Sequence, residues 1–197
     1  MSQRLGVVLS ILDLPMAELG AARLDGEVYA LADGWCSLDQ ADAAATRAVA
    51  AGLLVPVRAI AERMTAAWIY GVAPLPSPHQ FCVDQGARAH IPPSAQLQLR
   101  EVTCPPEDMV ELAGRRVTTP LRTICDIART IPAGTADVES VLAALLGYAN
   151  LTADDVARQL AARTNAPNKA LAAGRIRRAE LLRATAAKQE DQPSLTR

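Results

Sequence analysis

The stretch GRRVTTPLRTICDIART, residues 114–130, decides how this chain is read. Arg115 and Arg116 lead into a β-branched run, and Pro120 stops it. Val117 therefore ends a strand and Thr119 is placed to cap a helix. Pro120 suits the first helical position, where the missing N–H costs no intrahelical bond. Leu121, Ile124, Cys125 and Ala128 then recur at i, i+3, i+4 and i+7, so one helical face is expected to be buried. The opposite face carries Arg122, Asp126 and Arg129, and Arg122 can pair with Asp126 at i, i+4.

A helix start with threonine hydroxyls and two arginines nearby has the makings of a phosphate site. The loop, however, has no glycine between Gly114 and the helix, and no Gly-Lys-Ser/Thr follows. The backbone cradle of a phosphate-binding loop is missing. The stretch reads as a capped joint between strand and helix.

Working outward, the 197 residues suit one domain or a domain with an appendage, and 50% hydrophobic with 21% charged residues is enough for a real core. Aromatic residues are only 3%, so that core is built from Leu, Val, Ile and Ala. No apolar run approaches the ~20 residues of a spanning helix, and the opening MSQRLGVVLSILDLP meets Asp13 too soon for a signal peptide. A cytoplasmic protein away from the membrane is expected. The four cysteines (Cys36, Cys82, Cys104, Cys125) are scattered, which points to reduced, buried thiols. His79, Cys82, His90 and Cys104 are the one metal-like grouping. On a strand through 79–83, His79 and Cys82 point to opposite faces, so neither metal nor other cofactor is expected.

The net charge of −1 hides an asymmetry. Residues 1–50 hold seven acids (Asp13, Glu18, Asp25, Glu27, Asp33, Asp39, Asp42) against Arg4, Arg23 and Arg47. Residues 163–188 hold Arg163, Lys169, Arg175, Arg177, Arg178, Arg183 and Lys188 against Glu180 alone. A polyanion would choose the C-terminal end.

Residues 4–12 and 15–24 read as two short helices, and 27–31 with 34–38 as a small hairpin split by Ala32-Asp33. Two helices and a two-stranded wing are what remains of a winged helix-turn-helix that lacks its first helix. Helices ended by Gly52 and Gly71 follow, then the proline-rich loop GVAPLPSPHQ. QFCVDQ, AQLQLREV and DMVELAGRRVT read as three strands, and helices return at 120–130, 136–147 and 152–163. Thr152 with Asp155 forms a capping box and Leu151 with Val156 a hydrophobic staple. The tail 188–197 is polar and expected to be loose.

Catalytic patterns are poor. Lys169 and Lys188 are the only lysines, both in the basic region, so none stands beside paired carboxylates as in a metal-dependent nuclease. There is no Gly-x-Ser-x-Gly elbow, and paired acids behind a Gly-Ser turn are missing. An enzyme is not expected.

Three stretches resemble the AbiEi-like antitoxins of type IV toxin–antitoxin systems, in their actinobacterial branch. LDGEVYALADGW (24–35) is similar to the family's winged-helix wing, and ERMTAAWIYGV (62–72) to its S-x-x-S-A-A-x-L-H-G helix. VTTPLRTICDIAR (117–129) resembles its TTPxRTxxDLAR joint, with Thr119, Pro120, Arg122, Thr123, Asp126 and Arg129 in the matching places. The likeness spans roughly residues 15–150. It departs where relatives carry Ser and His and this chain has Arg63 (or Met64) and Tyr70, and in the truncated, acidic winged helix.

The resemblance implies a non-enzymatic protein whose N-terminal winged helix represses its own operon and whose C-terminal domain neutralises a nucleotidyltransferase-like toxin. The expected fold is α+β: a degenerate winged-helix remnant (1–37), a central domain with a small sheet flanked by helices (38–150) and a basic helical C-terminal extension (151–197). The expected function is an AbiEi-like antitoxin or a solitary derivative, with autoregulation weighed down by the acidic remnant. The alternative is a DNA-binding transcriptional regulator using the basic C-terminal helices. Arg175, Arg177, Arg178, Arg115 and Arg116 are the candidate partner- or nucleic-acid-binding residues, with the segment 163–188 packing shallowly and keeping several arginines in solvent.

Overall fold

The structure, a computed structural model, describes residues 6–86, 94–132, 137–163 and 167–190. It is α+β and divides into two compact units, 1–118 and 119–197. The boundaries expected at 37/38 and 150/151 fall inside the first and the second of these.

The first unit opens with a three-stranded antiparallel sheet in the order β1-β3-β2, made of β1 (Val8–Leu9), β2 (Val28–Leu31) and β3 (Gly34–Ser37). The expected helix at 4–12 is therefore corrected over its described part. Val8 and Leu9 pair with Cys36 and Trp35. The chain then makes a single turn, closed when the Asp13 carboxylate accepts from both the N–H and the hydroxyl of Ser10 at 2.8 Å. Such a local side-chain bond competes with helix propagation. The expected second helix forms as α1 (Met16–Leu24), and the hairpin β2–β3 turns at Ala32-Asp33, with Ala32 at φ 50°. Gly34 is required by close approach, because a Cβ there would lie 2.6 Å from Val8 Cγ1. Strand, one helix and a hairpin give the winged-helix remnant one helix, fewer than the two expected of it. Leu9, Leu19 and Val28 are its core.

The second sheet has five strands in the order β6-β5-β4-β8-β7. These are β4 (Ile60–Ala61), β5 (His79–Asp84), β6 (Leu97–Val102), β7 (Met109–Leu112) and β8 (Arg115–Thr118). Two corrections follow. DMVELAGRRVT is two strands, because Ala113 and Gly114 both take positive φ (48° and 76°) and make a tight hairpin turn. The helix expected over AIAERMTAAWIYG (59–71) starts at Arg63 instead, since Ile60 and Ala61 pair between β5 and β8. Helices α2 (Ala44–Ala51) and α3 (Arg63–Ile69) pack on this sheet, and Gly71 at φ 80° follows α3.

The second unit is helical: α4 (Pro120–Thr130), α5 (Val138–Tyr148), α6 (Ala153–Ala162) and α7 (Lys169–Glu190). Thr119 accepts from the Arg122 N–H, and the Thr152–Asp155 capping box is complete. Leu142, Leu145, Leu146, Val156 and Ile176 fill the interior. The tail expected to be loose from 188 is still helical through Glu190, and 191–197 lie outside the described residues.

Candidate functional site

The joint at 114–130 is built as a structural device, with a correction to its polarity. Ile124, Cys125 and Ala128 are buried as their spacing requires, whereas Leu121 is half-buried. The opposite face is buried too: α4 encloses every residue from Arg122 to Ala128. Arg122 donates to Asp126 at 2.6 Å, and Arg129 stands 3.8 Å from the same carboxylate. The Thr123 hydroxyl donates back to the Thr119 carbonyl at 2.9 Å. Arg129 also donates to the Pro167 carbonyl while Asn168 donates to the Arg129 carbonyl, which ties down the turn that opens α7. Periodicity gave the residues of each face but could not reveal that the polar one is buried as well.

The five candidate binding arginines part company. Arg175 is only 3% exposed and donates to the carbonyls of Ala128 (3.1 Å) and Ile131 (2.7 Å). Its guanidinium thus satisfies the free C-terminal carbonyls of α4 and complements that helix's dipole. The expected exposure of Arg175 is corrected, because one turn of basic α7 faces inward between Ala172, Ile176 and Ala179, all buried. Arg177 and Arg178 are exposed, and Arg178 makes a surface ion pair with Glu139 at 3.1 Å. Arg183 donates to the Leu151 carbonyl, and Lys169 to that of Arg163. Arg115 lies in the other unit with its guanidinium against Gly52, where a Cβ would come within 2.9 Å, and it donates to Val55. Arg116 is exposed opposite Glu111.

Two grooves flank α7. One, of about 530 Å³, runs against α5 with Ala143, Ala144 and Gly147 on one wall and Leu182 and Ala186 on the other. The second, of about 350 Å³, runs against α6 and contains Asp154, Arg177 and Glu180. Glu180 accepts from the Ala153 N–H at 2.9 Å, so its carboxylate supports the α6 N-terminus.

The sequence reading missed a buried ionic cluster in the sheet unit. Glu62, fully enclosed, accepts from Arg100 Nε at 2.7 Å and Nη2 at 2.6 Å and from Arg63 Nε at 3.1 Å. Arg63 sits at φ 47° and donates onward to Gln98 at 3.2 Å. Gln80 accepts from the Met64 N–H and donates its own N–H to Thr65. A Glu-Arg pair at the head of an apolar helix, with Arg100 on an alternating strand, was the available signal. Each named donor in this network has an acceptor, and the network lies along the β5–β6 edge.

His79 pairs with Asp33 at 3.1 Å, while Cys82 and Cys104 pack with Ile60 in an apolar cluster. His90 lies outside the described residues. All four cysteines are buried thiols outside any disulfide, and burial pushes the Cys125 thiol up to about 12. A thiol held so far from its thiolate is a poor nucleophile. No helix among the described residues is long and apolar enough to cross a membrane.

Comparison with known proteins follows this geometry. The model of the AbiEi antitoxin C-terminal domain matches residues 50–182, from the end of α2 through the five-stranded sheet and α4–α6 to Leu182 on α7. No protein with a curated description matches the chain. The crystal structure of the RV2827C protein from Mycobacterium tuberculosis is similar at a TM-score of 0.44 and 16% identity, covering 91% of this chain and 76% of that one. With the family's domain matched over more than half of its length, the chain belongs to the AbiEi antitoxin family.

Proposed function

We propose that the protein is a non-enzymatic, cytoplasmic antitoxin, or a solitary derivative of one, that neutralises a nucleotidyltransferase-like toxin by binding it through the helical unit. One observation carries the reading. The family match extends onto α7, and there Arg177 and Arg178 stand side by side in solvent, with Arg177 in the groove against α6. Arg122–Asp126 is an enclosed ion pair, and the enclosed Glu62 is held by Arg100. Enclosed pairs hold a scaffold and present nothing to a substrate.

The experiment is co-expression with any nucleotidyltransferase-like reading frame found beside the gene. Growth arrest by that frame alone, its relief by this chain and co-purification of the two support the reading. A toxic frame that this chain neither relieves nor binds overturns it.

The rival, a DNA-binding regulator using α7, rests on the same exposed cations. With Arg175 enclosed and Arg183 engaged on a carbonyl, α7 offers Arg177, Arg178 and Lys188. Each phosphate contact contributes a slope of about −0.9 to log K against log salt, so three give weak, unspecific binding. The remnant adds little. Its one helix carries Glu18 exposed, with exposed Asp25 at its end. A gel shift of the full chain on its own upstream region should show no protected inverted repeat at physiological salt, and a repeat protected there would favour the regulator.

A further inference from the structure

We infer that the solvent face of α1 is a protein-docking site, and that its occupant is a basic amphipathic helix of another protein. Helix α1 lies outside the segment matched by the family's domain, so the inference does not rest on the antitoxin reading. On α1, Met16, Gly20 and Leu24 follow at i, i+4 and i+8 with Ala17 and Ala21 beside them, and all five are exposed. Met16 is 58% exposed and Leu24 90%, while Leu19, on the other side, is the helix's single buried anchor. Gly20 stands in the middle of this face, and a Cβ there would meet nothing within 4 Å. A glycine weakens a helix interior relative to alanine, and no contact within the chain requires this one. A bare backbone at that point lets a second helix approach closely. Leu12, 93% exposed, extends the apolar surface before the helix. Leu38, exposed and set beside Glu27 by its N–H bond to the Glu27 carbonyl, extends it after.

The charge around this face is dominated by one sign. Over residues 6–40, Asp13, Glu18, Asp25, Glu27 and Asp39 are exposed, against Arg23 as the exposed cation. Asp33 and Asp42 are paired with His79 and Arg47, whereas no ion pair among the described residues holds Glu18, Asp25 or Glu27. Nucleic acid does not suit such a face. A recognition helix reads base edges through hydrogen-bonding side chains and is positioned by cations on phosphates. Met16, Ala17, Gly20, Ala21 and Leu24 supply neither, and the carboxylates repel the phosphates. A helix with a leucine stripe flanked by lysines or arginines meets both features at once. Its leucines pack against Met16 and Leu24 over Gly20, and its cations face the carboxylates, the apolar-face form of helix recognition with electrostatic complementarity at the rim.

The test uses the full chain and labelled helical peptides of equal length. One carries a leucine stripe flanked by lysines, one the same stripe flanked by glutamates, and one lysines without leucines. The first should bind with a Kd at least tenfold below the other two, and hydrogen exchange of α1 should slow when it is bound. Met16→Ser with Leu24→Ser, both at exposed positions, should weaken that binding at least tenfold with an unchanged melting curve. Gly20→Phe, placed in open space, should do the same by keeping the second helix at a distance. Glu18→Lys with Asp25→Lys should turn the preference toward the glutamate peptide. Equal binding of the leucine-free lysine peptide overturns the inference, because charge alone would then account for it. So does full-strength binding by the Met16→Ser, Leu24→Ser variant, or no binding of any peptide. Self-association of the chain abolished by that variant makes a second copy the occupant, and protection of α1 by duplex DNA makes it a nucleic-acid face; either result sinks the proposal. Toxin relief by the same variant should equal that of wild type, so the antitoxin reading stands or falls separately.

Discussion

Helices α1 and α4 are nine and eleven residues long and are held in opposite ways. Helix α1 buries Leu19 alone, against Leu9 and Val28, and leaves Met16 and Leu24 in solvent. Helix α4 buries seven consecutive residues, including an arginine, an aspartate and a threonine. The family motif lies on the second. A helix enclosed on all sides must satisfy each polar group internally, which is why its charges are paired and its ends capped. A helix with one anchor is free to vary. The motif thus records the constraint of an enclosed scaffold, and the exposed cations that the proposed binding needs stand elsewhere, on α7.

The sharpest way to break this comparison is Arg122→Ala. Removing one member of an enclosed pair leaves Asp126 with Arg129 at 3.8 Å, a cost of about 3–5 kcal/mol. The expected result is loss of the cooperative melt of the helical unit. Leu19→Ala removes a comparable contact in the thin core, about 2–4 kcal/mol by the usual range for such truncations. Because α1 has a single anchor, hydrogen exchange should show α1 opening while α4–α7 keep their protection. If Arg122→Ala melts like wild type, the enclosed pair is not what holds α4.

Next in size is Arg175→Ala. Two enclosed carbonyls, those of Ala128 and Ile131, lose a charged donor, and hydrogen bonds to charged groups are worth about 1.5–3 kcal/mol. Urea unfolding should move by about 2–3 kcal/mol with an unchanged slope. Arg175→Lys should recover less than half, since a point donor cannot span both carbonyls. A surface-like change below 0.5 kcal/mol would place Arg175 back among the binding candidates.

What the sequence disclosed follows from the range of its signals. Caps and periods are local, so Thr119 with Pro120, the Thr152–Asp155 box and Gly71 after α3 were all legible. Two-residue strands have no period to read, so β1 and β4 were taken for helix. The turn at Ala113-Gly114 could have been recognised, since a glycine between two β-branched runs is a hairpin signal. The burial of Arg175 and Glu62 was beyond reach. A charged side chain is enclosed only when residues far along the chain supply its partners, here Ala128 and Ile131 in one case and Arg100 in the other.

Acid gives a smaller and gradual effect. The Thr152 hydroxyl, then its N–H, hold the Asp155 carboxyl below its ordinary value, and the N–H groups of Cys104 and Gly86 do the same for Asp84. A carboxyl whose pKa is lower in the folded state stabilises the fold above its unfolded value of about 4. That contribution is lost as pH falls through the folded value. The melting temperature should therefore be flat from neutral pH to about 5 and decline below about 4. Asp155→Asn should lower the plateau slightly and flatten the decline for the helical unit. A decline equally steep in Asp155→Asn would mean other carboxyls carry it.

The smallest effect on stability and the one that matters most for function is expected from Arg177→Ala with Arg178→Ala. Both residues are exposed, and the pair of Arg178 with Glu139 lies at the surface, where ion pairs contribute about 0–1 kcal/mol. Melting should shift by no more than about 2 °C, near the effect of an ordinary surface substitution. Toxin relief and co-purification should nonetheless fall severalfold, because these solvent-facing cations are the ones the proposed binding uses. Arg175→Ala, two residues away, should do the reverse at a temperature where most of the chain is still folded, lowering stability while sparing binding per folded molecule. Adjacent arginines on one helix would then separate into a structural and a binding class by the direction each faces. If the double variant instead melts early and binds normally per folded molecule, the solvent-facing side of α7 is structural as well, and the division drawn between enclosed and exposed charge in this protein does not hold.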